Sequence, residues 1–359
     1  MTPGTARRRS RIDFLPLSTP RYLLPFMSCT LAAFGASAQA PLPFFKDRTI
    51  TIVTSTGAGG SYDVTARAVA RHMSSHIPGQ PTMVVNNMPG GGNLLATNYM
   101  FNIAPKDGTA IASLHNAMPL HQALGGQGVR FDAMHFNWLG SMGPDNSAVL
   151  VWRKTGIAVF DDLKKRETVL GGSGAGSGIV IYPLIMNKVL GTRFKIVTGY
   201  RSSEEINVAM ERGEVEARTL GLTSIFSQSS DWLKDGKITI LAQIGAKRDA
   251  RLPDVQLLSE LAATEEQRQV VRLVASPTAL GRPYVAPPGV DAERLAILRH
   301  AFEAVMRDKA FLDEAEKRNI EVDPMTADEV REIIRETINA PKAAVAIAAG
   351  AIDTAEGKK

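Results

Sequence analysis

The stretch VTSTGAGGSYDVTARAVARHM, Val53–Met73, decides the fold. An apolar strand pattern occupies residues 49–55, and the glycine cluster Gly57-Ala58-Gly59-Gly60-Ser61-Tyr62-Asp63 follows it. From Asp63 to His76, Val64, Ala68, Val69 and Met73 recur on one helical face. A strand, glycine loop and helix in this order aim free backbone N–H groups and the positive end of a helix dipole at one point. Such a point suits an anion: a nucleotide, a catalytic intermediate or a small carboxylate.

Working outward, TMVVNN reads as a second strand, MPGGGN as a turn, and Leu94 to Ile103 as a helix. PKDGT is a turn before the strand AIASLH, and the β-α-β-α-β series predicts a parallel sheet with right-handed crossovers. A second series begins near Ala148. AVLVWR, TVLGG, FKIVTGY, VEARTL and KITILAQIG read as strands, with helices over IVIYPLIMNKVLG and SSEEINVAMERG. The C-terminal third is mostly helical, and GRPYVAPPGV reads as a strand re-entering a domain. Each series holds a strand, a Gly/Ser loop and a helix, the second loop being LGGSGAGSGIV. In open α/β sheets ligands sit at the C-terminal strand ends. Two such ends facing across a cleft would grip one small ligand from both sides; each loop could equally be a tight turn.

Several chemistries fit poorly. The dinucleotide fingerprint requires glycine where Tyr62 stands, and Asn86 and Asn87 stand where an acidic residue should end the second strand. A Gly-Lys-Ser/Thr phosphate loop is absent. Gly171-Gly172-Ser173-Gly174-Ala175 nearly meets the serine-hydrolase elbow, but its histidine would have to be His300, in mid-helix. An exported hydrolase is the less favoured alternative. His72 and His76 have a zinc-compatible spacing without a third ligand, and read as a solvated pair. No cofactor, metal or catalytic residue is expected.

The N-terminus is of another kind. Arg7, Arg8, Arg9 and Arg11 precede the apolar YLLPFMSCTLAAFG, and ASAQA offers small residues for cleavage, the pattern of a secretory signal peptide. Cleavage after Ala38 is preferred, because cleavage after Ala40 would leave Pro41 first. Of the 41 basic and 36 acidic residues, five and one respectively lie in this leader, leaving 36 against 35, a net charge of +1. The basicity of the whole chain therefore argues for no nucleic-acid partner. Cys29, the single cysteine, would also be removed, and with it disulfide, thiolate and Cys–metal chemistry. No apolar run reaches the roughly 18–20 residues a membrane span needs.

In order along the chain, ITIVTSTGAGGSYDVTARAVARHM, VVNNMPGGGNLLATNYM, PKDGTAIASL, LGGSGAGSG, VTGYRSSEEINVAMERGEVEAR, LPDVQLLSEL and APPGVDAERLAILRHAF resemble the Bug family, the periplasmic solute-binding receptors of tripartite tricarboxylate transporters. The resemblance covers about Asp47 to Ala340. It implies an α/β, periplasmic-binding-protein-like fold (a type II Venus flytrap) of two α/β domains joined by crossing strands. The expected division is a signal peptide over 1–38, a first domain of 39–148 with 273–359, and a second of 149–272. The function implied is capture of a small organic carboxylate for membrane transporter subunits; a sensor kinase is the alternative partner, and a monomer is expected. The ligand would lie between Thr56, Gly57, Ala58, Gly59 and Gly60 of the first loop and Ser173, Gly174, Ala175, Gly176 and Ser177 of the second, with Tyr200 and Arg201 nearby. Asp63 reads as a helix N-terminal residue, since its charge would repel the anion. Three features depart from the family pattern: Gly178-Ile179-Val180 after the second loop, Tyr200-Arg201-Ser202 for Tyr-Lys-Gly, and Asn207 for a helical Asp.

Overall fold

The structure, a computed structural model, describes residues 43–355 apart from 175 and 176. The expected leader, with Cys29, lies outside the described residues. Among the described residues, eleven strands form two sheets: β1 Thr49–Thr54, β2 Thr82–Asn87, β3 Ala110–Ser113, β4 Asn137–Ser141, β5 Ser147–Trp152, β6 Thr168–Gly171, β7 Phe194–Val197, β8 Ala217–Gly221, β9 Ile238–Ile244, β10 Pro283–Ala286 and β11 Met325–Thr326. The first sheet has the order β11-β4-β10-β3-β1-β2, the second β7-β6-β8-β5-β9.

The expected parallel core is present in both sheets: β1 pairs in parallel with β2 and β3, and β6 with β7 and β8. Both sheets are mixed, because β10 runs antiparallel to β3 and β4, and β5 antiparallel to β8 and β9. Strand β4 (NWLGS) escaped the sequence reading. Its polar first residue and glycine break the apolar run, yet it is buried between β10 and β11.

Strand periodicity explains how each sheet is covered. Ile50, Ile52 and Ile111 enter a core with the helices Ser61–Met73, Ala292–Val305 and Lys309–Lys317. Val53, Ala110 and Ala112 face the opposite core, under Leu94–Asn102 and Ala327–Ile338. The second sheet divides likewise, Val149 and Val151 to one side, Ala148 and Leu150 to the other. Two-sided burial is why these strands read as apolar runs rather than alternating ones. Each fully buried Ile or Val contributes about 1.5–3 kcal/mol.

Among the described residues, residues 339–341 carry the chain from the helix Ala327–Ile338 to Lys342–Ala355 on the second sheet, and two further crossings join the sheets: residues 142–146 lead from β4 to β5, and residues 281–282 return from the helix Glu265–Leu280 to β10. They are bonded to each other, Met142 N–H donating to the Arg282 carbonyl at 3.2 Å and Asp145 N–H to that of Thr278 at 2.9 Å. Gly281 has φ +53°, and an added Cβ would overlap the Gly143 carbonyl. The C-terminal helix Lys342–Ala355, expected with the first sheet, packs Ala344, Ala348, Ala351 and Ile352 into the core of the second. Its small-residue face fits closely against the helices Glu265–Leu280 and Gly178–Ile185. The same helix Glu265–Leu280 spans the expected boundary at 272/273.

Among the described residues, no helix is long and apolar enough to cross a membrane.

Candidate functional site

The C-terminal ends of the parallel strands of both sheets open on one cavity of about 450 Å³. From the first sheet come the turns after β1 (Ser55–Gly57, Gly60–Tyr62), β2 (Pro89–Asn93) and β3 (His115, Asn116). From the second come the turns after β6 (Ser173, Gly174, Ser177–Ile179) and β7 (Gly199–Glu204), Tyr182 of the helix Gly178–Ile185, the end of β8 (Thr219–Gly221), and Ser224 of the helix after it. Asp145 and Ser147, at the first crossing, complete the lining. This is the location expected of a ligand site in open α/β sheets.

The first glycine turn is held from behind by a buried carboxylate. Asp63 accepts from the Gly59 N–H at 2.9 Å, from Asn87 Nδ2 at 3.0 Å and from Arg67 Nε at 3.0 Å. Burial works to raise its pKa, but Arg67, the Gly59 N–H and Asn87 outweigh it and hold the carboxyl below the usual range. Asn87 also donates to Thr54 Oγ1 and the Thr56 carbonyl, tying β2 to the turn. Asp63 therefore shapes the turn and lies outside the cavity lining, as its charge suggested. The helix Ser61–Met73 begins at Gly60, in the cavity lining, without a side-chain cap, so its first N–H groups lack that partner.

The second glycine turn has a similar plan. The helix Gly178–Ile185 begins at Ser177, again without a side-chain cap. Ser173 Oγ donates to Ser177 Oγ at 2.8 Å, and Ser177 Oγ to the Gly174 carbonyl at 2.9 Å. The two halves touch over the cavity: a Cβ on Gly174 would come within 2.8 Å of the Gly92 nitrogen, and one on Gly57 within 3.1 Å of Ser202 Cβ. Gln228 Nε2 donates to the Gly59 carbonyl at 2.7 Å. The helix Ser203–Arg212, by contrast, starts capped: Ser202 Oγ accepts from Glu205 N–H, and Glu205 Oε2 accepts from Arg201 N–H.

The cavity floor joins the ligand turns to the crossings. Tyr62 donates to the Gly281 carbonyl at 3.1 Å, accepts from Asn116 N–H at 3.1 Å, and stacks on His115 with ring centroids 5.2 Å apart. Burial pushes the Tyr62 phenol well up, so it stays protonated. His115 Nδ1 accepts from Ala117 N–H at 3.2 Å, which places the proton of the neutral ring on Nε2. Burial, and secondarily Arg282, pulls His115 down to about 4. It is a neutral donor at neutral pH. Asp145 and Arg282, 11% and 3% exposed, pair at 2.9 Å, and Asp145 also accepts from Thr223 N–H and Oγ1. Three buried polar atoms of the lining have no hydrogen-bond partner among the described residues: Thr56 Oγ1, Thr219 Oγ1 and Glu204 Oε2.

Of the residues singled out in the sequence, Thr56, Gly57, Gly60, Ser173, Gly174, Ser177, Tyr200 and Arg201 line this cavity. Ala58 and Gly59 do not; Gly59, at φ +84°, spends its N–H on Asp63 and its carbonyl on Gln228. Ala175 and Gly176 lie outside the described residues. Arg201 is exposed at the rim. Asn207 faces the buried Arg218, to which its side-chain oxygen is bonded, and does not line the cavity. His72 and His76 are not a solvated pair: each meets its own carboxylate at 3.0 Å, Glu314 and Asp308. His300 is exposed on the helix Ala292–Val305, and Ser173 bonds to Ser177 instead of a base. Sequence reasoning missed His115, Asp145 and the Gly90–Asn93 turn as cavity residues, and did not single out Tyr62 within the first loop. The glycine run after β2 was the available signal, since that strand neighbours β1 in parallel.

The tripartite tricarboxylate transporter family receptor profile matches residues 65–348. The chain belongs to that family. A relative from Cupriavidus necator, the UPF0065 protein in the gbd 5' region, is 27% identical over 322 residues, covering 88% of this chain and 91% of its own. The solved structure of periplasmic binding protein BugD superposes with a TM-score of 0.69 at 18% identity, over 84% of this chain and 96% of that one. R. palustris Rpa4515 with adipate gives 0.67 at 21% identity, over 84% and 97%. These likenesses establish the two-domain periplasmic-binding-protein fold of this Bug-type receptor.

Proposed function

We propose that this receptor works in the periplasm, as a monomer, capturing a small organic carboxylate in the cavity between its two sheets and delivering it to a tripartite tricarboxylate-type membrane transporter. One observation carries the reading: two helices from different sheets, Ser61–Met73 and Gly178–Ile185, begin without side-chain caps at the same cavity. Backbone N–H groups and helix dipoles at such ends favour an anion without a dedicated arginine. Thr56, Gly57 and Gly60 would hold the carboxylate from one side, and Ser173, Gly174 and Ser177, with Ala175 and Gly176 of the same turn, from the other. Tyr200 and Arg201 would meet the distal part of the ligand. The likeness to R. palustris Rpa4515 with adipate supports the ligand class. A binding role without turnover agrees with Ser173 bonding to Ser177 and with His300 standing exposed on another helix.

The test is thermal and chemical unfolding of the leader-free protein against mono- and dicarboxylates. A carboxylate at 100 times its Kd should add about 2.7 kcal/mol of stability. Failure of every carboxylate to stabilise the protein would refute the reading. Expressed with its leader in a Gram-negative host, the protein should be recovered from the periplasm beginning at Gln39.

A further inference from the structure

We infer that the ligand carries an ammonium group beside its carboxylate, and that Glu204 is the residue that selects it. The inference rests on the carboxylate-receptor reading and narrows its substrate class. Glu204 lines the cavity from the first turn of the helix Ser203–Arg212. Its carboxylate reaches across to the first glycine turn, Oε1 lying 3.8 Å from where a Cβ on Gly60 would stand, and Cδ 4.0 Å from that of Gly59. Oε2 is buried and has no partner among the described residues.

An ionised carboxylate only accepts, and one without a donor is costly to bury. No hydrogen bond from the described surroundings reaches Oε2. The caps of its own helix are engaged by Ser202 and Glu205. The buried cation nearby, Arg218, bonds through Nη1 and Nη2 to Ser203 and Asn207; its charge acts on Glu204, but its unpartnered Nε makes no bond to Oε2. Asp145, the other acid in the lining, is already matched by Arg282. The helix dipole eases the charge on Glu204, but gives no hydrogen bond to Oε2. A simple dicarboxylate would set a second anion against this one. An ammonium next to the ligand's carboxylate would instead donate to Glu204 while the carboxylate faces the uncapped turn at Gly60–Tyr62. Thr56 Oγ1 and Thr219 Oγ1, also unpartnered, can donate or accept and so discriminate less.

The experiment compares ligands of matched skeleton by calorimetry on the leader-free protein: aspartate with succinate, glutamate with glutarate, alanine with propionate, phenylalanine with 3-phenylpropionate. The pair whose skeleton fits should show the ammonium form bound about 30-fold more tightly, the scale of one charge-assisted hydrogen bond. Glu204→Gln should cut that ratio at least about tenfold, chiefly by weakening the ammonium form. Circular dichroism and thermal unfolding confirm that the variant is folded. Tighter binding of the member without nitrogen overturns the inference and leaves the carboxylate-receptor reading intact. So does an unchanged ratio in Glu204→Gln, the outcome if a water bridges Glu204 Oε2 to Arg218 Nε. Absence of binding by every member overturns both.

Discussion

Acid should weaken this fold through His115, and His115→Gln should remove that share of the loss. The imidazole stands in the cavity wall against Tyr62; burial, with Arg282 adding to it, lowers its pKa from 6.5 to about 4. Above about 6.5 the ring is neutral in both native and unfolded chains, and its contribution to pH dependence vanishes. Between these values the unfolded chain binds a proton that the native state refuses, so stability falls as pH falls. Below about 4 both states carry the proton and the loss saturates. At about 1.4 kcal/mol per pH unit, the interval amounts to about 3 kcal/mol. Urea unfolding of wild type and His115→Gln at several pH values between about 7.5 and 4 reads this directly as the difference between the two proteins. Taking the difference matters, because carboxylates such as Glu314, held at about 2 chiefly by its bond to Arg71, also destabilise the fold in acid. That share is common to both proteins and cancels. A difference that stays within about 0.5 kcal/mol across the range would refute the assignment of a neutral His115 in the native state.

Two further outcomes test the site and its floor. Gly57→Val should weaken ligand binding at least about tenfold, or 1.4 kcal/mol, because its Cβ would stand 3.1 Å from Ser202 Cβ across the cavity. Gly59→Val should act first on stability, by about 1–2 kcal/mol, through its left-handed φ of +84°; calorimetry and urea unfolding separate the two, and unchanged affinity in a folded Gly57→Val protein would sink the first. Asp145→Ala should cost about 3–5 kcal/mol by stranding the buried Arg282. Much of that should return in Asp145→Ala with Arg282→Met, and a loss under about 1 kcal/mol in the single variant contradicts the burial described for the pair.

The sequence read most clearly where local chemistry and tertiary role agree. The apolar run of β1 and the glycine turn behind it needed no distant information, and both lie where residues 49–63 predicted. The repeat of that pattern before Gly178 marked the second wall of the cavity for the same reason. Residues whose roles depend on distant partners were not visible. His115 gains its fixed tautomer from Ala117 and its lowered pKa from burial and Arg282, far along the chain. Glu204 looked like an ordinary first-turn acid, and its lack of a partner emerges once the first glycine turn is placed against it. The alanine-rich C-terminal helix carries no pattern that chooses between sheets, so its packing on the second core followed from shape alone.

The position of Tyr62 links recognition to the crossings. It lies within the first turn of the helix proposed to meet the ligand's carboxylate, and its hydroxyl bonds to Gly281 in the returning crossing. The same hydroxyl takes the Asn116 N–H from the turn after β3. One buried side chain thus joins two cavity turns to the segment about which the two sheets would have to move. Gly281 allows little slack there, since its φ is positive and an added Cβ would overlap the Gly143 carbonyl of the other crossing. Arg282, next to Gly281, and Asp145, in the cavity lining, pair across the same point. Displacing the first glycine turn relative to the second sheet therefore strains bonds at the crossings and not only contacts at the cavity mouth. A ligand that fixes the Gly57–Tyr62 turn would be felt at Gly281 through a single phenol, a far shorter path than the sheet between them.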